Sequence, residues 1–538
     1  MKVRRWLWAL GAVLPALLGL GIMLGAASAG PAAVVMGIVV DDAGPVAGAV
    51  VRQQATNIQT KTRSDGTFEL GGLDEGVTIT VSAWKEMYYC AKVEGVVPPA
   101  SGITLTLHHY QTNDNPDYEW MPPTGEHGEE SCAHCKPGVT DIWLENAHAN
   151  AGTNPRFFSL YNGTDLTGTM TITPGYVLDF PGTTGNCATC HAPGAGLDAP
   201  FSTDMNQLEG ADVFGVHCDF CHKVADVYLN PATDLPYSNA PGAISMDVRR
   251  PFPETERFQL FFGTFDDDNV PEEDTYLPLI EESAFCAPCH QFSMWGTPIY
   301  ESYREWLESP YRAMGVECQD CHMPSDMEMT NVAPGKGGVE RDPATIHAHL
   351  QLGAADEDFL RNTVSMTVSA RQVGPSVEVD VAITNTQAGH HVPTDFPGRH
   401  MILTVEARDG EGGALTQESG PVVPAWGGAQ AGLPGKAFAK VLRDVVSGEA
   451  PVVSYWKQTL IESDNRIAAM ESDVSAYGFA PPAGGGSVTV TAEIRFRRAF
   501  RDVMDERGWD TPDIVMEERE LVLAMNPWWT VYLPTVLR

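Results

Sequence analysis

At 538 residues the chain exceeds one ordinary hydrophobic core and is expected to divide into two to four domains. Its 34 Lys and Arg against 70 Asp and Glu leave a formal charge of -36, which repels phosphate backbones and excludes nucleic acid as a partner. A hydrophobic share of 43% with dispersed Gly and Pro describes a folded, loop-rich protein without low-complexity tracts.

The chain opens with Lys2, Arg4 and Arg5, an apolar run from Trp6 to Leu24, and the small residues Ala27-Ser28-Ala29. That order is an export signal, and residues 1–29 are read as a signal peptide cleaved after Ala29, or as an uncleaved membrane anchor through residues 6–24. No cysteine follows that would take a lipoprotein anchor. The expected location is periplasmic or at the cell surface.

Residues 34–110 alternate in short strands with turn punctuation: Gly37 to Val40, Gly44 to Val51, Ser64 to Leu70 and Thr78 to Val81. The pattern resembles the carboxypeptidase regulatory-like or transthyretin-like β-sandwich. Such a module implies binding, spacing or docking, and no catalytic constellation lies in it.

Residues 115–358 carry the chemistry. Ten of the eleven cysteines form five C-x-x-C pairs: Cys132/Cys135, Cys187/Cys190, Cys218/Cys221, Cys286/Cys289 and Cys318/Cys321. Four pairs are followed at once by histidine, at His191, His222, His290 and His322, and the first is followed by Lys136. Two thiols at this spacing reach the two vinyl groups on one edge of a haem, and the next side chain turns under the ring to ligate iron. Zinc knuckles need no histidine after every pair, and disulfides would leave the histidines unexplained. The expectation is five c-type haems. Cys90, the remaining thiol, reads as a core cysteine.

Each six-coordinate haem needs a second strong ligand, and imidazole is the usual donor. The distal candidates are His148, just after the first motif, then His349 and His390. For a fourth, His217 and His127 both stand open. Near-equal gaps suggest that the second and third motifs, and likewise the fourth and fifth, form local haem pairs. A helix is expected around Ser302 to Arg312, with Tyr303, Trp306 and Tyr311 toward haem. The acidic run Asp266-Asp267-Asp268 offers oxygen ligands for calcium, although a solvated turn is the simpler reading.

The stretch from Ser131 to Asp409 resembles the multihaem cytochromes related to hydroxylamine oxidoreductase and to the tetrahaem cytochromes c that partner it. The likeness rests on Trp143 to His148, on Gly215 to His222, on Glu317 to Pro324, and on Gly389-His390 before Val392-Pro393-Thr394. It implies distal ligation by His148, His349 and His390. One C-x-x-C-K motif before four C-x-x-C-H motifs is also similar to pentahaem, ammonia-forming nitrite reductases, and implies an open haem on Lys136. The chain departs from that family in having no Lys-x-Gln-His segment and in ending in strands, so the catalytic carry-over stops at Lys136.

Residues 359–525 return to strands, including Ser365 to Ala370, Val377 to Ile383 and Ser487 to Ile494, and an immunoglobulin-like β-sandwich is the economical assignment. The fold class is therefore multidomain, with β-sandwiches flanking a loop-rich and helical haem domain. Residues 526–538 form an aromatic tail. Electron relay among redox protein partners, including a membrane-bound donor, is the leading functional reading. The alternatives are a reductase of nitrite or a related oxyanion at the Lys136 haem, or a hydroxylamine-converting enzyme there, and a homo-oligomeric conductive assembly.

Overall fold

The computed structural model describes residues 33–526 except 126–130, 254–258, 268–269, 271–273, 481 and 483–485. The export segment, His127, Asp268 and the aromatic tail beyond Asn526 lie outside the described residues. Among the described residues no helix is long and apolar enough to cross a membrane.

The N-terminal region folds into two four-stranded sheets. Ala33–Asp41 pairs antiparallel with Thr67–Leu73 and Gly44–Pro45, and parallel with Ala100–Thr106. The second sheet runs in the order Gln59–Lys61, Val50–Gln53, Ile79–Trp84 and Ala91–Val96. In Thr67–Leu73 the alternation turns Phe68, Leu70 and Leu73 inward while Glu69 stays exposed, and Val35, Val39, Val51 and Val81 complete the same core. Gly37 occupies mid-strand because a Cβ there would meet the Ile103 carbonyl oxygen at 2.2 Å. The expected run from Gly44 to Val51 is divided by a turn, and three short, largely polar strands escaped the pattern.

This module is fixed to the haem-motif region by charge. Arg52 pairs with Asp266 at 2.7 Å, and Asp267 takes Arg341 at 2.6 Å together with the Ala55 amide. Asp266 and Asp267 are thus committed to guanidinium and amide donors, which overturns the calcium reading for both. No cluster of metal-ligating side chains of the ordinary His, Cys, Asp and Glu kind occurs among the described residues.

The central region has short elements. Its longest described helices, Pro137–Leu144 and Pro155–Asn162, have 8 residues each. The single helix expected from Ser302 to Arg312 is two, Ser302–Leu307 and Pro310–Met314. Pro310 has no amide hydrogen to continue the first helix, and the Ser309 side chain caps the second. Tyr303 and Trp306 are buried and stack on one another at 5.7 Å.

The C-terminal region forms two four-stranded sheets. One places Val364–Val373, Ser376–Asn385, Ser472–Phe479 and Gln417–Ser419 side by side; the other runs Gly435–Phe438, His400–Asp409, Gly486–Arg497 and Ile514–Met525. Strict alternation in Ser376–Asn385 buries Val377, Val379, Val381 and Ile383 against Val405, Val490, Ala492 and Ile494.

This region is not separable from the haem motifs at residue 359. The loop after Asn385 and the hairpin of Lys440–Asp444 with Thr459–Asp464 reach into the central region. There Lys440 meets Glu301 at 3.0 Å, and Arg466 meets Glu305 at 2.6 Å. Burial alone would raise Glu305, yet Arg466 and His391 hold its carboxyl below the ordinary range. Removing one partner of such a network strands a buried charge. Arg466→Met is therefore expected to destabilise the protein by about 3–5 kcal/mol, read as a lower unfolding midpoint of the haem-loaded chain; an unchanged midpoint would show that the network clamps nothing.

Candidate functional site

Each C-x-x-C pair lies on one tight helical turn: Cys132–Cys135, Cys218–Cys221 and Cys318–His322 in full, with Cys187 and Cys286 capping Ala188–His191 and Ala287–His290. A three-residue offset sets both thiols on one face of the turn. The amides of Lys136, His191, His222 and His290 close back on the carbonyls of Cys132, Cys187, Cys218 and Cys286, which carries the fifth side chain under that face. None of the cysteines is disulfide-bonded.

The histidines then fall into facing pairs. His222 and His349 have ring centroids 6.1 Å apart; His322 and His390 are 6.2 Å apart, and so are His148 and His290. An iron between two imidazoles, with metal–nitrogen bonds of about 2 Å and about 1.1 Å from each nitrogen to its ring centre, separates centroids by roughly 6.3 Å. The pairs fit that group.

Hydrogen bonds orient these rings. Nδ1 of His222 lies 2.6 Å from the Phe262 carbonyl, Nδ1 of His322 2.6 Å from that of Leu352, and Nδ1 of His390 2.8 Å from that of His391. With Nδ1 engaged, the lone pair for metal is on Nε2. Burial pushes His148, His191, His322 and His349 down to about 4, and His222 to about 3, so all five are neutral at pH 7. A metal-ligating imidazole must be neutral.

Two asparagines position the opposing histidines. The Asn146 side chain donates to the His349 carbonyl at 2.9 Å and accepts the His148 amide at 2.9 Å, tying two segments far apart in sequence. His148 itself lies beyond the end of Pro137–Leu144, in a turn. Asn385, fully buried, donates to the His390 carbonyl at 2.8 Å. Neither asparagine had a sequence signal beyond its place a few residues before a histidine.

No fourth facing pair of imidazoles occurs among the described residues. His217 faces no second imidazole among the described residues: its ring caps the Cys218–Cys221 turn by accepting the Phe220 amide, and its buried Nε2 lies 3.6 Å from Asp212 without a hydrogen-bond partner. Lys136 lays its amine over the face of Phe261 at 4.2 Å, and Phe261 in turn stacks on His222 at 4.0 Å. Nearby Asp274 is held above the ordinary carboxylate range by burial, which Lys136 and Arg341 partly offset.

His191 stands apart. Phe157 stacks on its ring at 4.1 Å, and it lines a cleft of about 70 Å³ with Cys187 and Cys190. The walls are aromatic, from Tyr161, Tyr176, Tyr300, Tyr455 and Trp456, with Met294 among them, and His191 is the only imidazole in the lining among the described residues. Tyr455 and Trp456 come from the C-terminal region, which completes this cleft.

Thiols of different motifs meet. The thiol of Cys132 lies close to that of Cys218, that of Cys190 to Cys289, and that of Cys286 to Cys318. The first motif therefore abuts the third, and the fourth abuts both the second and the fifth. The expected pairing of second with third is replaced by second with fourth, because the chain doubles back between them.

With this geometry in hand, similar proteins can be named. The profile of the family described as "Cytochrome c554 and c-prime" matches residues 131–223. The fold is similar to the crystal structure of a penta-heme cytochrome c552 from Thermochromatium tepidum, with a TM-score of 0.53 and 20% identity, covering 75% of this chain and 100% of that one. Residues 131–223 thus match a c-type cytochrome family, and the structural likeness extends the fold over three quarters of the chain. A cohesin-X-dockerin complex from Acetivibrio cellulolyticus covers only 14% of this chain at a TM-score of 0.14, too weak to inform the β modules. No curated protein sequence matches the chain.

If the facing pairs hold iron, His349→Ala should turn one low-spin centre of the purified cytochrome high-spin. His217→Ala should leave every centre unchanged in the same spectrum and cost only about 1 kcal/mol from the lost cap. The reverse pattern would reassign both residues.

Proposed function

We propose that the protein is an extracytoplasmic electron relay carrying five c-type haems, attached at Cys132/Cys135, Cys187/Cys190, Cys218/Cys221, Cys286/Cys289 and Cys318/Cys321. The observation that carries this reading is the set of three imidazole pairs at iron-spanning separation, His222 with His349, His322 with His390 and His290 with His148. Haem supplies an iron that cycles between two oxidation states while held covalently. The three imidazole pairs would hold a haem iron between two ring nitrogens, which would leave no place for substrate there and would keep the surroundings of the iron nearly fixed during electron transfer.

The touching thiols support close spacing. They set the attachment edges of the second and fifth motifs beside that of the fourth, and that of the first beside the third, so electrons have short steps available within each group. Residues 1–29 support export, and haem attachment of this kind belongs to compartments outside the cytoplasm. A charge of -36 suits docking to basic redox partners.

A second reading is favoured by the cleft at His191. There no imidazole faces His191 among the described residues, and the cleft beside it is walled by aromatic rings with tyrosine hydroxyls, which suits a small ligand such as nitrite or hydroxylamine. This moves the centre of gravity of an enzymatic role from Lys136, where the sequence put it, toward His191. Lys136 remains the expected axial ligand of the first haem.

Mass spectrometry of the purified protein should find five haem adducts per chain, and reductive titration should consume five electrons. Fewer of either would contradict the five-centre relay. Added cyanide should perturb no more than the His191 and Lys136 centres; a wholly unresponsive spectrum would remove the enzymatic reading and leave the relay.

A further inference from the structure

The pair formed by His290 and His148 differs from the other two in what holds its rings. His222 and His322, the motif histidines of the other pairs, engage backbone carbonyls through Nδ1. Nδ1 of His290 instead lies 3.1 Å from Oδ2 of Asp395, and Nδ1 of His148 lies 2.6 Å from Oε1 of Gln351. Both axial imidazoles of one centre therefore have side-chain acceptors, and one of these is a carboxylate.

Both acceptors also sit in backbone conformations that L residues rarely adopt. Asp395 has φ of 61° and Gln351 has φ of 46°. Non-glycine residues in this region are strained and persist where the surroundings over-determine them, most often at functional sites. Here the surroundings are visible. The Asp395 side chain is 12% exposed, its Oδ1 accepts the Ser302 amide at 3.3 Å, and its segment is anchored by Thr394 on buried Glu305. The left-handed turn aims the carboxylate at His290.

A carboxylate on the outer nitrogen of a ligating imidazole makes that imidazole a stronger electron donor. The extra donation favours ferric over ferrous iron, so the centre's reduction potential falls. A backbone carbonyl, being uncharged, does this less. The fourth motif is also the one whose thiols meet both the second and the fifth. A local change in potential there acts where those neighbours join.

We propose that Asp395 is a positioning residue that lowers the reduction potential of the His290/His148 haem below that of the two haems whose motif imidazoles rest on backbone carbonyls, with Gln351 fixing the ring on the opposite face. This rests on the reading that His290 and His148 share one iron. The Asp395 segment comes from the C-terminal region, so the β-sandwich contributes to the redox chemistry of a haem bound by the central region.

The test uses the full haem-loaded chain with Asp395→Asn and Asp395→Gly. Asparagine keeps the shape and tolerates this backbone region; glycine removes the side chain and relieves the positive φ, so at least one variant is expected to fold. Potentiometric titration followed by paramagnetic resonance should show one low-spin centre moving to higher potential by at least a tenfold change in its reduction equilibrium, which is 59 mV for one electron. The other centres should stay in place. All centres moving together, or none moving, would overturn the assignment. A companion His148→Ala variant separates the two levels: a new high-spin signal identifies the shared iron, while its absence overturns the ligation reading and the Asp395 proposal with it. A high-spin signal in that variant with an unmoved potential in both Asp395 variants would overturn the Asp395 assignment alone.

Discussion

The structure depends on holding two imidazoles about 6 Å apart, three times over, when the two members of a pair come from distant parts of the chain. A single helix cannot do this, because side chains on one helix share its surface and do not face one another across a gap. The chain solves it with loops anchored by buried amides. Asn146 fastens the His148 turn to the His349 segment, and Asn385 fastens the His390 loop to the end of a strand. The motif histidines need less support, since the C-x-x-C turn already fixes them.

That constraint explains the division of labour among the regions. The elements that carry the C-x-x-C motifs are short, 4 or 5 residues each. The C-terminal sandwich supplies what short turns lack: a rigid frame from which His390, Asp395, Tyr455 and Trp456 reach into the haem region. The buried Glu301–Lys440 and Glu305–Arg466 contacts join the frame to Ser302–Leu307 and its flank. Such pairs add little net stability over apolar packing, but their geometry fixes how the two parts meet.

The sequence was most legible where covalent chemistry dictates spacing. Five C-x-x-C pairs announce their cofactor without a structure, and alternation located Val377 to Ile383 and Ser487 to Ile494 within longer strands. The opposing histidines were harder, since a residue that arrives from a loop leaves no periodic trace; His148 was the first candidate and His217 one of two for a fourth place, and the structure brings His148 opposite His290 while the His217 ring caps a turn. The acidic run at Asp266 misled for a related reason. Its partners Arg52 and Arg341 are far away in the chain, so the pattern of like charges was visible and their neutralisation was not. Asp395 had no signal at all, because its importance lies in a backbone conformation and a distance to His290.

The account's central claim is that three iron centres have two imidazoles each and two do not. Low-temperature magnetic spectroscopy of the oxidised protein, quantified per chain, tests it most directly. Three bis-imidazole irons are predicted, with the His191 and Lys136 centres giving distinct signals. Five equivalent bis-imidazole centres, or fewer than three, would contradict it.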